Sequence, residues 1–166
     1  MPHKKMTIYE DSEIRLFFKK KSKYISTSEY ETITNILEKI KHNEDNDFTK
    51  LKEEGDLEYR KGSYKKAIEL YTKYLDEKQS PVIYNNRAAC YYKMKMYSEC
   101  VADCKAGLLL EKNNIKFYVK IASAKLECNE NTEALEWSEK GLNVEKENRI
   151  LQEYIIKIND IKISSV

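Results

Sequence analysis

Between Gly55 and Leu75 the chain reads GDLEYRKGSYKKAIELYTKYL, and its small and apolar positions fall into two short helical patterns that meet at a turn around Gly62. Ala67, Ile68, Tyr71 and Leu75 continue one face at helical spacing. Gly55 permits close approach of a neighbouring helix, and Tyr59 and Tyr64 flank the turn. Helices this short cannot bury an apolar face alone, so the unit requires stacked neighbours. Weaker copies supply them. Tyr64, Ala67 and Tyr71 are echoed 33 residues later by Tyr97, Cys100 and Cys104, and Cys100 is echoed 34 residues later by Ala134. Ser80 followed by Pro81 is a helix start, and Asn113–Asn114 and Asn129–Asn131 mark later turns. The pattern predicts helix pairs over 48–80, 81–114 and 115–148. A closing amphipathic helix over about 149–163 carries Ile150, Leu151, Tyr154, Ile155, Ile158 and Ile161.

Upstream, Ser28 and Glu31 have capping-box spacing, and Tyr30, Ile33, Ile36, Leu37 and Ile40 form a stripe. This predicts one separate helix over about 28–42, ended by the polar run at 42–47. Residues 1–46 then read as an N-terminal arm and 47–163 as the repeat domain. The segment RLFFKKK at 15–21 mixes aromatic and basic residues. It suits a solvated arm with Phe17 or Phe18 tucked onto the domain, or contact with an acidic membrane surface, nucleic acid or a partner. The stripe at Ile33, Leu37 and Ile40 must be covered, which allows self-association through this helix or docking within the chain.

Composition narrows the functional classes. In 166 residues, 41% are hydrophobic and 35% charged, with 4 glycines and 2 prolines, the balance of an all-α protein with a thin core. A net charge of +2 gives no argument for nucleic acid. No apolar run approaches the ~18 residues of a membrane span. No secretory h-region is visible, so a cytoplasmic protein is expected. Cys100 and Cys104 lie one helical turn apart, but without further ligands they read as small core residues rather than a metal site. No nucleophile motif, phosphate-binding glycine loop or metalloprotease motif is present, so neither enzyme nor cofactor is expected.

The first helix of each pair carries a set of donors. Lys52 and Asp56 are one turn apart on the first, Asn86 and Lys93 share a face of the second, and Lys116 and Lys120 are one turn apart on the third. Lys52, Asn86, Lys93, Lys116 and Lys120 thus face a shared channel, and converging donors suit a carboxylate.

A period of about 34 with two helices per unit is the tetratricopeptide spacing. Leu51, Gly55, Tyr59, Gly62, Tyr64, Ala67, Tyr71 and Leu75 fit that family's pattern in the first unit. Tyr84, Ala88, Tyr91, Tyr97 and Leu108 carry it in the second, and Tyr118, Ala122, Ala134 and Leu142 in the third. Gly107 and Gly141 take the small position near the end of each later second helix. The chain therefore resembles tetratricopeptide repeat (TPR) domains. The resemblance implies three stacked helix hairpins in a right-handed α-solenoid, with a C-terminal capping helix and an extra N-terminal helix.

The donor set is similar to the carboxylate clamp of co-chaperone TPR domains, which hold the acidic Glu-Glu-Val-Asp tails of the 70- and 90-kDa heat-shock chaperones. The resemblance assigns the peptide carboxylate to Lys52, position 56, Asn86, Lys116 and Lys120, with Ala89, Tyr92 and Lys93 meeting upstream residues. Val82, Val119 and Leu126 are expected to add apolar contacts, and Arg87 a structural one. One position departs: the family has Asn where this chain has Asp56. An ionised Asp accepts but cannot donate, and at ~4 Å it repels a ligand carboxylate by roughly 1 to 4 kcal/mol. Asp56 is expected to pair with Lys52 and Arg60. The resemblance implies a non-catalytic adaptor for a chaperone tail; the alternative is a scaffold subunit of another assembly with a degenerate clamp.

Overall fold

The computed structural model describes residues 26–164. Seven helices and no strand occur among them: α1 (Thr27–Arg60), α2 (Tyr64–Glu77), α3 (Pro81–Lys93), α4 (Tyr97–Leu110), α5 (Ile115–Glu127), α6 (Asn131–Val144) and α7 (Arg149–Ser164). The expectations for residues 1–25, including the aromatic-basic run at 15–21, lie outside the described residues. The chain separates into two compact units, 1–47 and 48–166.

In the first unit the sequence reading needs correction at both ends of its helix. The helix begins at Thr27, and its cap lies two residues before the expected one. The Ser26 hydroxyl accepts from the Glu29 backbone N–H, and the Glu29 carboxylate accepts from the Ser26 N–H and hydroxyl, so the capping box is Ser26–Glu29 rather than Ser28–Glu31. Ser28 lies inside the helix, where its carbonyl accepts from the Thr32 hydroxyl. At the other end, the polar run at 42–47 does not stop the helix, which continues to Arg60. That run holds neither Pro nor Gly, and charged residues are compatible with helix wherever no core face is required. Ile33 and Leu37 are half-buried, whereas Ile36 and Ile40 are 52% and 49% exposed.

The second unit is built of hairpins. The end of α1 pairs with α2, α3 with α4, and α5 with α6, while α7 packs on α6 and α5. Successive helices pack in chain order, and first helices also meet one another, α3 on α5 and α5 on α7. The expected all-α array of TPR hairpins with a closing helix is present.

The three hairpin turns share one backbone solution. Gly62, Lys95 and Asn129 stand at φ 78°, 58° and 58°, in the left-handed region. The next N–H in each turn closes the preceding helix, Ser63 to the Glu58 carbonyl, Met96 to Tyr91 and Glu130 to Lys125, all at 2.9 Å. Side chains then lock two of the turns with aromatic pairs, Tyr59–Tyr64 and Tyr92–Tyr97, each with ring centroids 5.5 Å apart. The third turn lacks the aromatics. It uses Lys125, bonded to Glu130 and 2.9 Å from Glu133. The equivalent bridge in the first hairpin has its charges reversed, with Lys66 3.3 Å from Glu58.

Two core clusters run through the stack. Ala67, Tyr71, Leu75, Ile83 and Cys90 form the first, and Ala88, Cys100, Val101, Cys104, Phe117, Ile121 and Ala124 the second. Cys100 and Cys104 are thus core residues, Cys90 is buried as well, and Cys128 is exposed at the third turn. Between hairpins, a second helix supplies a glycine and the following first helix an apolar side chain. A Cβ on Gly107 would lie 2.2 Å from the Phe117 ring, and one on Gly141 2.4 Å from Leu151. Gly55 does the same within the first hairpin, where a Cβ would lie 2.5 Å from the Tyr71 ring. Arg87 joins α3 to α4 and α2. It donates to both Asp103 oxygens at 2.8 and 2.7 Å and to the Thr72 hydroxyl at 2.9 Å, confirming its structural role.

Candidate functional site

A groove of about 430 Å³ runs along the first helices of the repeats. Tyr59 of α1 stands at one side; Asn85, Ala89, Tyr92 and Lys93 come from α3. From α5 come Ile115, Lys116, Val119, Lys120 and Ser123, and α7 adds Ile150 and Tyr154 with Asn148 just before it. The i, i+3 and i+4 spacings put these positions on one face of each helix, and the stacking of first helix on first helix makes the faces continuous.

Five of the eight positions singled out in the sequence therefore meet: Ala89, Tyr92, Lys93, Lys116 and Lys120. The start of α5 is fixed by the Asn114 side chain, which accepts from the Lys116 N–H at 3.2 Å. Among the described residues, Lys93, Lys116 and Lys120 make no ion pair. The groove wall thus carries three uncompensated positive charges beside the apolar surfaces of Ile115, Val119 and Ile150. The Tyr92 and Ser123 hydroxyls share a hydrogen bond of 2.7 Å across the α3–α5 seam. The Asn85 Oδ1, buried at the groove, has no hydrogen-bond partner.

The other three positions, Lys52, Asp56 and Asn86, form their own cluster. Asp56 Oδ2 accepts from Lys52 Nζ at 2.7 Å, and Asp56 Oδ1 accepts from Tyr71 Oη at 2.6 Å and Asn86 Nδ2 at 2.9 Å. Burial pushes the Asp56 carboxyl up, but the bond from Lys52, the bond from Tyr71, the Lys52 charge and the Asn86 amide outweigh it and hold the group below its ordinary 3.8. Tyr71, 1% exposed, is pushed well above the ordinary phenol value by its burial and by the carboxylate it donates to. Arg60, an expected partner of Asp56, is not among the partners it makes with the described residues. The Cys90 thiol, pushed up to about 12 by burial, is acted on by the charges of both Asp56 and Lys120.

Sequence reasoning missed Tyr71 as the third partner of Asp56, because it is 15 residues away across a hairpin and reads as an ordinary core aromatic. It also missed the α7 wall. Ile150 and Tyr154 belong to the closing helix, but that helix stands where a fourth first helix would, so repeat phase alone was the available signal. Val82 and Leu126 are not in the groove lining, and Val82 is exposed.

No family model matches the chain. Among curated proteins it is 32% identical over 110 residues to mouse RNA polymerase II-associated protein 3, covering 66% of this chain and 17% of that protein. The chain spans about a sixth of the length of the curated relatives it matches first. Among solved structures it is similar to the first TPR of Spaghetti (RPAP3) bound to the HSP90 peptide SRMEEVD. That match has 28% identity, a TM-score of 0.66, and coverage of 71% of this chain and 94% of that one. The second TPR domain of human RPAP3, in complex with the HSP70 peptide SGPTIEEVD, matches with 26% identity and a TM-score of 0.64, covering 68% and 95%. The repeat array is a TPR domain resembling chaperone-binding TPR domains.

Proposed function

We propose that this TPR domain is a non-catalytic, cytoplasmic adaptor that holds the acidic tail of a 70- or 90-kDa heat-shock chaperone in the groove lined by α3, α5 and α7. One observation carries the reading: Lys93, Lys116 and Lys120 line a single groove and have no acidic partner among the described residues. Acidic side chains of a peptide supply the missing charge, and Val119, Ile115 and Tyr154 flank the lysines with surface for an apolar residue between the acids. The resemblance to domains solved with EEVD-ending peptides supports the same ligand class. No described helix is long and apolar enough to cross a membrane.

Calorimetric titration with SRMEEVD is the test. Lys116→Ala and Lys120→Ala are each expected to weaken binding about tenfold, the scale of one charge-assisted contact. Raising salt should weaken the wild-type complex, since these contacts are partly exposed. No binding, or binding indifferent to both substitutions, overturns the reading.

A second reading attaches to α1, where Ile36 and Ile40 lie half-exposed on one stripe. Self-association through that stripe predicts a concentration-dependent sedimentation coefficient, abolished by Ile36→Glu with Ile40→Glu.

A further inference from the structure

We infer that Asp56 is a built-in carboxylate occupying the anion position between Lys52 and Asn86, so that the groove reads acidic side chains of its peptide and not the peptide's free C-terminus. The inference rests on the adaptor reading and deepens it, by stating which chemical feature of an acidic segment is recognised.

The geometry is that of an already filled anion site. Lys52 Nζ, Asn86 Nδ2 and Tyr71 Oη converge on one carboxylate at 2.7, 2.9 and 2.6 Å, and that carboxylate belongs to the protein. The Tyr71 bond anchors it from behind. The ring is buried against the Gly55 backbone, so Asp56 cannot turn aside without leaving a buried hydroxyl without its acceptor. A second carboxylate arriving beside Asp56 would meet a like charge, with Lys52 already neutralised. The donors outweigh the effect of burial and keep Asp56 ionised at neutral pH, so the opposition is permanent under ordinary conditions.

In the groove lining the arrangement is reversed. Lys93, Lys116 and Lys120 carry no counter-charge, and Lys116 and Lys120, four residues apart, present a two-point contact to successive or alternate acidic side chains. A chain running through the groove therefore finds donors for its side-chain acids. A carboxylate at a chain end gains nothing from the Lys52 and Asn86 donors, which Asp56 already holds. The ligand class that follows is an acidic segment with interspersed apolar residues, accepted at a terminus or within a chain.

The test compares SRMEEVD as free acid, as C-terminal amide, and extended by Gly-Ser-Gly-Ser, each titrated against the full chain and against Asp56→Asn. For the wild type, the three affinities are expected to agree within about threefold. For Asp56→Asn, the free acid should gain about fivefold or more over the amide, the effect of exchanging one nearby like charge for a donor. Asp56→Ala, checked for folding by circular dichroism, is the second variant and removes the charge without supplying a donor. A wild-type preference for the free acid beyond about threefold overturns the inference and leaves the adaptor reading standing. Equal affinities that persist in the folded variant overturn the role of Asp56. Failure of all three peptides to bind the wild type overturns both.

Discussion

A carboxylate at position 56 alters what its neighbours are able to do without altering where they stand. Lys52 and Asn86 sit where repeat phase puts them, yet both donate inward. The opposed charge was legible in the sequence; the saturation was not, because it depends on Tyr71 reaching back across a turn. Asp56→Ala would strand the Tyr71 hydroxyl and is expected to cost about 1–3 kcal/mol in urea unfolding, whereas Asp56→Asn, which still accepts, should cost less than about 1 kcal/mol. The sign of the pH dependence follows from the lowered carboxyl. Its contribution is present above the ordinary value of 3.8 and is lost as pH falls through the lower folded value. Acid unfolding of Asp56→Asn should therefore be shallower than that of the wild type below about pH 4. A different residue-scale cost sits at Lys95, a side chain held at φ 58°. Lys95→Gly relieves that conformation but enlarges the unfolded ensemble, leaving a net gain of about 0.5–1 kcal/mol, readable as a higher urea midpoint with unchanged slope.

Among the elements, hairpins were readable because each follows from local pattern: small residue, aromatic, turn, small residue. Gly107 and Gly141 announced themselves as the small positions of α4 and α6, although only the packing shows that Phe117 and Leu151 fill the space they leave. Gly107→Ala improves helix propensity and is nonetheless expected to destabilise by about 1–3 kcal/mol, because its Cβ would need the place of the buried Phe117 ring. Thermal unfolding of that variant decides which term wins. The length of α1 was not readable in the same way. A polar run looks like a loop when polarity is taken as the stop signal, whereas a helix needs a breaker or a cap to end it. Arg87 and Asp103, 16% and 7% exposed, give α3 and α4 their mutual orientation through two parallel bonds. Asp103→Ala would leave the buried guanidinium with the Thr72 hydroxyl and the Tyr84 and Tyr91 rings but no counter-charge, and is expected to cost about 3–5 kcal/mol.

For the repeat unit as a whole, stability is a chain of neighbour interfaces rather than one central core. The closing helix takes the position of another first helix, burying Leu151 and Ile158 on its inner side. It therefore both finishes the core and supplies Ile150 and Tyr154 to the groove. Leu151→Ala, expected to cost about 2–5 kcal/mol, should loosen α7 and the groove together, so amide exchange in α7 and peptide affinity should change in one variant. The sequence contained the closing helix and the lysines as separate facts. Their convergence required the stacking.

The four thiols record that stacking in chemical form. Cys128 lies open at a turn, while Cys90, Cys100 and Cys104 are sealed between hairpins. An alkylating or chromogenic reagent should label one site per folded molecule at once and the other three only as fast as the repeats part. The chain thus carries its own clock for internal opening. Adding an acidic peptide that bridges α3 and α5 should slow the late phase and leave the prompt one untouched.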